Sequence, residues 1–466
     1  MKLKSYPKYK DAGLPWIDQI PEHWNVLPNR AVFEERNTRG MGREELLSVT
    51  IKRGVLRQKE LIESSSKKDS SNEDKSKYKL VLEGDLPYNK MRMWQGAVGV
   101  SKYRGIVSPA YIILRPRKNV YSDYYHYLLR TPEYIKESYR YSYGICDDQL
   151  SLRFKDFKVI KSIVPPIEEQ KIIVQYLRSK EKKIAKFISN KRRLIQLLKE
   201  QKQAIINQAV TRGTNPDVKL KPSGIDWIGD IPEHWKIMTL RRCCKAVKTG
   251  TTPKGADAKF YSDNGLDWYT PGDFSDDIYL GDSMRQLSQL GKEAVTLFPA
   301  YTIMIIGIGG TIGKVCISKY PASCNQQINA IIVKPHVNVE YFTYYLRTLK
   351  EYITKCGKFT TLPIINQDET KDLIVLLPSI AEQKDIALGI NMKTQKINET
   401  ISKIEQEIKL IQEYRTRLIS DVVTGKVDVR DIKLEDVADE ETIDDLDLSE
   451  DEQELGDSVE EVLDEE

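Results

Sequence analysis

Two stretches of the chain place apolar residues at alternating steps of three and four. One stretch follows Pro165 and the other follows Pro378, and each pattern continues for about four heptads. Such spacing keeps one apolar seam facing a partner, so it predicts two long helices that pair as a coiled coil. The predicted seam residues are Leu177, Ile184, Ile188, Ile195, Leu198 and Ile205 in the first helix, and Ile390, Ile397, Ile401, Ile404, Ile408, Ile411 and Leu418 in the second.

The length and order of these helices predict how they pair. The first seam spans roughly 42 Å at about 1.5 Å per residue, and a helix of that length with one apolar face favours a partner. Because a globular segment separates the two helices in sequence, we expect an antiparallel pair. Lys191, Lys202 and Arg415 interrupt the seam. The alternative is two independent surface helices, each covering its own domain.

The segments before the helices have a different pattern. Short β-rich runs such as "AYIILRP", "TIMIIGIG" and "AIIVKP" alternate with Gly and Pro over residues 25–163 and 236–376. This pattern is typical of a globular α/β (α+β) or mainly β domain. The chain therefore alternates two globular segments with two long helices.

The two halves also repeat each other. "DAGLPWIDQIPEHW" (residues 11–24) returns as "PSGIDWIGDIPEHW" (222–235) at an offset of 211, and "SPAYIILRP" (108–116) matches "QINAIIVKP" (327–335) at 219. "GAVGVSKY" matches "GKVCISKY" at 217. Because the order of the matches is kept, we infer an internal duplication with a pseudo-twofold repeat. The predicted divisions are a first domain at 1–163, a helix at 164–213, a second domain at 214–376, a helix at 377–426, and an acidic tail at 427–466.

Composition excludes some classes of protein. No apolar run predicts a signal peptide or a spanning helix, and the six scattered cysteines form no CxxC pair for zinc or redox chemistry. We expect a cytoplasmic protein with reduced, mostly buried thiols and no membrane partner.

The charge is unevenly distributed. Residues 435–466 contain 18 Asp and Glu and no Lys or Arg, so the rest of the chain carries +22 although the total is +4. A strongly positive body favours a polyanionic partner, most often nucleic acid. We expect the tail to lack fixed structure and to favour solubility, and a sharper hypothesis is that it competes with non-specific DNA. The polar segment at 63–77 is predicted to be a flexible insertion.

The repeated motifs carry a family resemblance. Each helix begins with Pro, an apolar residue and Glu-Gln ("PPIEEQ", "PSIAEQ"), and each globular segment is entered through "IPEHW". "TGTTPKG", "GLDWYTPGDF" and "NQQINAI" in the second domain are similar to segments of target recognition domains. The chain resembles the specificity subunit of type I restriction-modification systems up to about residue 431. The first domain departs from this wording, with "SPAYIIL" where the second has "QINAIIV".

The resemblance implies a function without catalysis in this chain. Each domain would read one half of a split double-stranded DNA site, and the helix pair would fix the gap and dock two methyltransferase subunits. A restriction subunit would complete some complexes. S-adenosylmethionine and adenine methylation would belong to the methyltransferase subunit, and this chain would bind no cofactor or metal.

Candidate DNA contacts are basic and amide side chains interleaved with aromatic residues, since Lys and Arg bind phosphates while Arg, Asn and Gln read base edges. Any one of them could instead belong to a solvated charged face or hold a turn. In the first domain they are Lys90, Arg92, Gln95, Tyr139 and Arg140, and in the second they are Lys248, Thr251, Lys254, Asn325, Gln326 and Gln327.

Other motifs favour structural roles. His23 and His234 lie in the repeated "IPEHW", where Glu22 and Trp24 are the notable sequence neighbours, so we interpret the motif as a module boundary with a buried Trp. "GIGGTIGKV" lacks the glycine and hydroxyl spacing of a phosphate loop and predicts a glycine-kinked strand and turn. The acidic residues of "EEQK" and "AEQK" suit a helix N-terminus. A fused nuclease or methyltransferase, or a coiled-coil scaffold that never reads DNA, remain the alternative functions.

Overall fold

The computed structural model describes residues 4–40, 43–51, 53–63, 75–144, 149–254, 257–356, 358–359 and 363–432. Most of the predicted insertion at 63–77, residues 433–466 of the predicted tail, and Cys146 lie outside these residues. The chain divides into two compact units. The first unit comprises Met1–Arg193 and Ile404–Glu466, and the second comprises Leu194–Lys403.

The globular part of the first unit mixes short strands and short helices. Its strands are β1 (Tyr9–Leu14), β2 (Ile17–Pro21), β3 (Asn25–Pro28), β4 (Phe33–Glu35), β5 (Leu47–Thr50), β6 (Gly54–Arg57), β7 (Lys79–Val81), β8 (Leu86–Asn89), β9 (Gly105–Val107), β10 (Tyr111–Pro116) and β11 (Lys161–Val164). Its helices are α1 (Asn29–Val32), α2 (Gln58–Glu63), α3 (Ser122–Leu128), α4 (Pro132–Arg140) and α5 (Phe154–Phe157).

Two sheets organise this domain. The antiparallel order β4-β10-β8 places β10 at the centre, where its apolar residues are buried. β3 pairs with β11, so the chain enters and leaves the domain side by side. α4 begins where Thr131 caps the amide of Tyr134 and Pro132 occupies the first turn, a position that needs no N–H donor.

The second unit repeats this arrangement with a larger sheet. Its strands are β12 (Leu220–Pro222), β13 (Asp230–Pro232), β14 (Lys236–Thr239), β15 (Cys244–Thr249), β16 (Tyr261–Tyr269), β17 (Gln286–Leu287), β18 (Thr302–Ile306), β19 (Val315–Ser318), β20 (Ser323–Cys324), β21 (Ile328–Val333), β22 (Lys358–Phe359), β23 (Pro363–Ile364) and β24 (Ile374–Leu377). Its short helices are α7 (Leu240–Cys243), α8 (Gln289–Glu293), α9 (Val339–Thr348), α10 (Lys350–Cys356) and α11 (Gln367–Asp372).

The central sheet of this unit has the order β15-β21-β18-β19, entirely antiparallel. All five residues of β18, "TIMII", are buried, which explains an uninterrupted apolar run in a central strand. Burial of each such side chain contributes roughly 1.5–3 kcal/mol. β14 pairs with β24 as β3 pairs with β11 in the first unit.

Sheet register corrects one of the sequence matches. Tyr88 pairs with Ile112 in the first unit, and Ile305 pairs with Asn329 in the second. Each residue of the second pair lies 217 positions after its counterpart in the first pair. The offset of 219 for "SPAYIILRP" was therefore wrong by two residues. A shift of two preserves the alternation of inward and outward residues in a strand, so the apolar pattern could not detect it. "SPA" therefore corresponds to "NQQ".

The two long helices are α6 (Ile167–Arg212) and α12 (Ile380–Val423). They lie within the predicted segments 164–213 and 377–426. Gly213 and Gly425 follow the helix ends with φ of 77° and 79°, as expected of glycines that terminate helices in the left-handed conformation.

Contacts within each unit show that the helices run antiparallel. In the first unit, Glu181 accepts from Arg415 at 2.7 Å, and Lys191 Nζ lies 2.7 Å from Glu407. In the second unit, Lys202 donates to Asn398 at 2.8 Å. Partners on α12 descend as those on α6 ascend, which is the signature of antiparallel pairing.

Most of the predicted seam faces inward. Eight residues are buried, namely Leu177, Ile184, Ile188, Ile390, Ile397, Ile404, Ile408 and Leu418. Five are half-buried, namely Ile195, Leu198, Ile205, Ile401 and Ile411. Near the end of α6 the buried positions are Ile206, Ala209 and Val210, because a straight helix of 3.6 residues per turn drifts from a strict heptad. Among the described residues, no helix is long and apolar enough to cross a bilayer.

Candidate nucleic-acid interface

Each unit joins its globular domain to a long helix through a glutamate in the first turn of that helix. In the first unit, Glu169 at the start of α6 accepts from Tyr6 at 2.5 Å and from the Trp24 indole at 3.0 Å, and His23 Nε2 lies 2.8 Å from its second oxygen. Glu169 is 5% exposed. A buried carboxylate requires such donors because an unpaired charge in the interior is costly. Burial, followed by the contact with Glu169, raises the pKa of Tyr6 far above its ordinary value.

The second unit repeats the contact. Trp235 donates to Glu382 at 2.9 Å, and His234 Nε2 lies 3.0 Å from its other oxygen. Both histidines therefore position a structural carboxylate, in line with the boundary role predicted for "IPEHW". Local sequence patterns could not indicate these partners, because Glu169 and Glu382 lie more than 140 residues away from the histidines.

The glutamine of each "EQ" pair anchors the same helix start. Gln170 accepts from the amide of Tyr121 at 2.8 Å, and Gln383 accepts from the amide of Asn338 at 2.7 Å. Each also donates to the carbonyl of the helix-initiating proline, Pro165 or Pro378. In each "EQ" pair, the glutamate therefore binds the entry motif "IPEHW", and the glutamine binds the loop that follows the central strand.

In the first unit, the candidate residues gather at the turn after β8. The basic loop (residues 90–96) contains Lys90, Arg92 and Gln95, which are half-buried, and Arg92 donates to Gln95 at 3.4 Å. The Lys90 amide donates to the Ala110 carbonyl at 3.1 Å. Burial lowers the pKa of Lys79 nearby, with the charge of Lys90 adding to the effect and Glu35 opposing it. The loop is thus an electropositive rim beside the sheet.

The second predicted segment of this domain packs on the basic loop. The ring of Trp94 meets Tyr139 on α4 with centroids 6.0 Å apart, and Tyr139 is 47% exposed. Arg140 donates to Glu137 at 2.7 Å and remains exposed. The structure therefore brings both candidate segments of the first domain together.

In the second unit, the candidates meet where β15 ends and β21 begins. The segment 248–254 and the turn 325–327 are linked through the Thr251 amide, which donates to the Cys324 carbonyl at 2.8 Å, and through a Thr252–Gln326 side-chain hydrogen bond. Gly250 permits this approach, since a Cβ there would lie 2.2 Å from the Cys324 carbonyl oxygen. Gly255 lies outside the described residues.

These second-domain candidates divide into two groups. Lys248, Lys254 and Gln326 are exposed. Thr251 accepts from the Thr296 amide at 2.9 Å, and Asn325, 9% exposed, accepts from the Gln327 amide at 3.0 Å. Thr251 and Asn325 therefore hold turns, while the exposed group and the half-buried Gln327 border the solvent.

A third segment lies at this edge, "GIGGTIGKV", which was predicted to be a glycine-kinked strand and turn and was not among the candidate DNA contacts. The glycine loop (residues 307–313) joins β18 to β19, and its Gly307 amide donates to the Gln327 carbonyl at 2.8 Å. In the first unit, the equivalent bond runs from Lys90 to Ala110, displaced by the same 217. The glycine loop thus occupies the place of the basic loop. The match of "GAVGVSKY" with "GKVCISKY" was the signal that could have identified it.

Burial disfavours the thiolate form of four cysteines. Cys243, Cys244, Cys316 and Cys324 are free and buried, and burial raises the pKa of the Cys324 thiol to about 12 and that of Cys243 to about 11. No group of His, Cys, Asp and Glu suited to a metal ion occurs in the described part of the chain.

The fold and its loop clusters define a protein of two repeated modules, each joined to paired long helices. Residues 232–410 match the family model described as a type I restriction modification DNA specificity domain. A putative type I restriction enzyme MjaX specificity subunit from Methanocaldococcus jannaschii is 23% identical over 89% of this chain and 96% of its own length. The MjaIX specificity subunit from the same organism is 30% identical over 39% of this chain and 44% of its own length.

A solved structure shares the fold. It comes from work titled "Structural basis underlying complex assembly and conformational transition of the type I R-M system", with a TM-score of 0.64 and 12% identity over 88% of this chain and 99% of that one. The chain is therefore similar over most of its length to a type I restriction enzyme specificity subunit, and its residues 232–410 carry the match to the specificity-domain model.

Proposed function

We propose that this chain is the DNA-recognition subunit of a type I restriction-modification complex, in which each globular domain reads one half of a split double-stranded site. The observation that carries the proposal is the equivalence of the loop edges. The basic loop and the glycine loop follow equivalent strands, at an offset of 217, in two modules of one architecture. Two equivalent edges suit two half-sites.

Charge supports DNA as the ligand. The chain before residue 435 carries +22, and exposed Lys248 and Lys254 border the second edge. Lys and Arg that bind phosphates supply affinity, while amides and arginines read base edges. Binding is therefore expected to weaken steeply with added salt.

The proposal also assigns roles to the helices and to partners. The helix pair fixes the gap and docks two methyltransferase subunits, and a restriction subunit joins in a full complex. S-adenosylmethionine belongs to the methyltransferase subunit, and this chain acts in the cytoplasm without catalysis of its own. The support is the match of residues 232–410 to the specificity-domain model, together with antiparallel contacts such as Glu181 with Arg415.

The test is to co-express the chain with the methyltransferase subunit of its system and map modified bases by single-molecule sequencing. Two short half-sites separated by a fixed gap are expected. A stable complex without a split motif would instead favour the coiled-coil scaffold alternative.

Arg92 provides a residue-level test in the first domain. Arg92→Ala should relax the base choice in one half-site only, since a lost bidentate arginine contact costs about 1–3 kcal/mol of discrimination. The matched control is Arg115→Ala, because Arg115 is an exposed arginine near the opposite end of β10. Equal base choice in both variants would remove Arg92 from the interface.

A further inference from the structure

The glycine loop and the basic loop are equivalent in their main-chain hydrogen bonds. The Asn89 amide donates to the Ala97 carbonyl at 3.0 Å, and the Ile306 amide donates to the Lys314 carbonyl at 2.9 Å. Each loop ends at a glycine in the left-handed region, with φ of 89° at Gly96 and 79° at Gly313. The two loops therefore occupy equivalent edges of the two modules.

The chemistry that the loops offer is different. At the displacement of 217, Lys90, Arg92 and Gln95 of the first domain correspond to Gly307, Gly309 and Ile312. Ile312 is 2% exposed. The glycine loop therefore presents main chain where the basic loop presents long polar side chains.

The tip of the glycine loop is open. Gly310 is exposed, and a Cβ built there would meet no atom within 4 Å. Within the part of the chain that the structure describes, the amides of Gly310 and Thr311 donate to no carbonyl or side chain. Gln327 borders the loop, since its Nε2 lies 3.8 Å from a Cβ built on Gly309.

Two successive amide donors without a covering side chain suit an oxyanion. Main-chain N–H groups are regular ligands of DNA phosphates, and glycine allows the backbone to approach closely. The charges of Lys248 and Lys254 at this edge favour the same ligand class.

We propose that the tip of the glycine loop, at Gly310 and Thr311, is a main-chain phosphate-binding site of the second domain. Its amides hold a phosphate of the half-site that this domain reads, and it replaces the side-chain contacts of the basic loop. The inference rests on the proposed function and names a contact within it.

The test uses the full chain assembled with its methyltransferase subunit and a DNA duplex that carries the site mapped for the wild type. Gly310→Asp should weaken binding about tenfold, since it places an anion beside the phosphate and obstructs the amides. Gly310→Lys should bind at least as tightly as the wild type, because the charge of the lysine favours the phosphate.

Gly281→Asp is the matched control. Gly281 is exposed, its φ lies outside the left-handed region, and a Cβ there also meets nothing within 4 Å. It follows Leu280, whose amide donates to the Ile317 carbonyl in β19 and not to the glycine loop. Gly281→Asp should retain wild-type affinity, and all three variants should unfold at the wild-type temperature.

Three outcomes separate the possibilities. Loss in Gly310→Asp alone supports the site. Equal affinities of Gly310→Asp and Gly281→Asp, or equal losses in the Asp and Lys variants of Gly310, overturn it. If the wild-type complex has no split site, the proposed function itself fails, and the phosphate-binding site fails with it.

Discussion

Single residues at the module boundaries show why a short motif is written twice. Glu169 and Glu382 each accept from an indole and contact a histidine, but Glu169 has Tyr6 as an additional donor. Its side chain is 6% exposed, against 28% for Glu382. The Glu169 and Glu382 sites therefore have the same arrangement of Trp and His partners but differ in burial.

This difference predicts unequal stabilities. Glu169→Ala should lower the free energy of unfolding by about 3 kcal/mol, because the buried donors Tyr6 and Trp24 lose their acceptor, and Glu382→Ala by about 1 kcal/mol. Calorimetry of the full chain would measure both. Glu168→Ala, at a side chain 75% exposed, is the control and should change little. A loss in Glu382→Ala as large as in Glu169→Ala would contradict the prediction.

Buried tyrosines predict the response to alkaline pH. Burial raises the pKa of Tyr134 to about 12, although hydrogen bonds with Ser162 and Asn29 oppose the rise. An unfolded tyrosine ionises near pH 10, so its contribution to stability is intact below about pH 10 and is lost as the pH rises towards 12.

Urea unfolding between pH 8 and pH 11 would measure the loss. Tyr134→Phe should be less stable at pH 8 but should lose less stability with pH than the wild type. Tyr320→Phe, at a ring 64% exposed, should keep the wild-type slope. Parallel slopes for Tyr134→Phe and the wild type would disprove this assignment.

At the scale of elements, the polar contacts between the two long helices differ in burial, and we expect them to differ in how much they stabilise the chain. Arg415 interrupts the predicted seam, yet it donates twice to Glu181, whose side chain is 9% exposed. Tyr127 also donates to Glu181 at 2.5 Å. The exposed Lys191–Glu407 pair lacks such burial, since the Glu407 side chain is 53% exposed. Arg415 and Tyr127 therefore form a network around the buried Glu181 carboxylate.

Removal of either member should show this contrast. Glu181→Ala should destabilise the chain by about 3 kcal/mol, since it removes a buried carboxylate that accepts from both Arg415 and Tyr127. Glu407→Ala should cost less than about 1 kcal/mol. Denaturant unfolding of Glu181→Ala, Arg415→Ala and the double variant would measure the coupling between these two residues, and additive losses would argue against a network.

At the scale of the whole molecule, two modules share one pair of helices, and the proposed reading of a split site depends on helix length. Removal of facing heptads from α6 and α12 would shorten the pair by about 10 Å, or about three base pairs. The mapped gap should shrink accordingly while both half-sites stay the same. An unchanged gap would show that the length of the helix pair does not set the spacing between the half-sites.

The acidic tail gives a second prediction at this scale. Residues 435–466 carry 18 carboxylates opposite a body of +22. Deletion of these residues should strengthen non-specific DNA binding at low salt and leave it unchanged at high salt, because exposed charges are screened. Titration with an unrelated duplex would measure this. Equal binding at low salt would leave only a role in solubility.

The sequence by itself determined the duplication, the division into modules and helices, and most of the seam. These features are periodic or repeated along the chain, so they can be recognised without knowing what folds against what. Ile184 and Ile404 are buried as the heptads predict. The positive body and the family resemblance led from the same information to DNA recognition.

Only the tertiary structure decided which distant residues meet. It paired His23 with Glu169, corrected the offset of β10 and β21 from 219 to 217, and assigned Thr251 and Asn325 to turns. It also placed the glycine loop at the edge where the basic loop lies in the first domain. Contacts between residues far apart in sequence depend on sheet register and burial, and local patterns do not encode these.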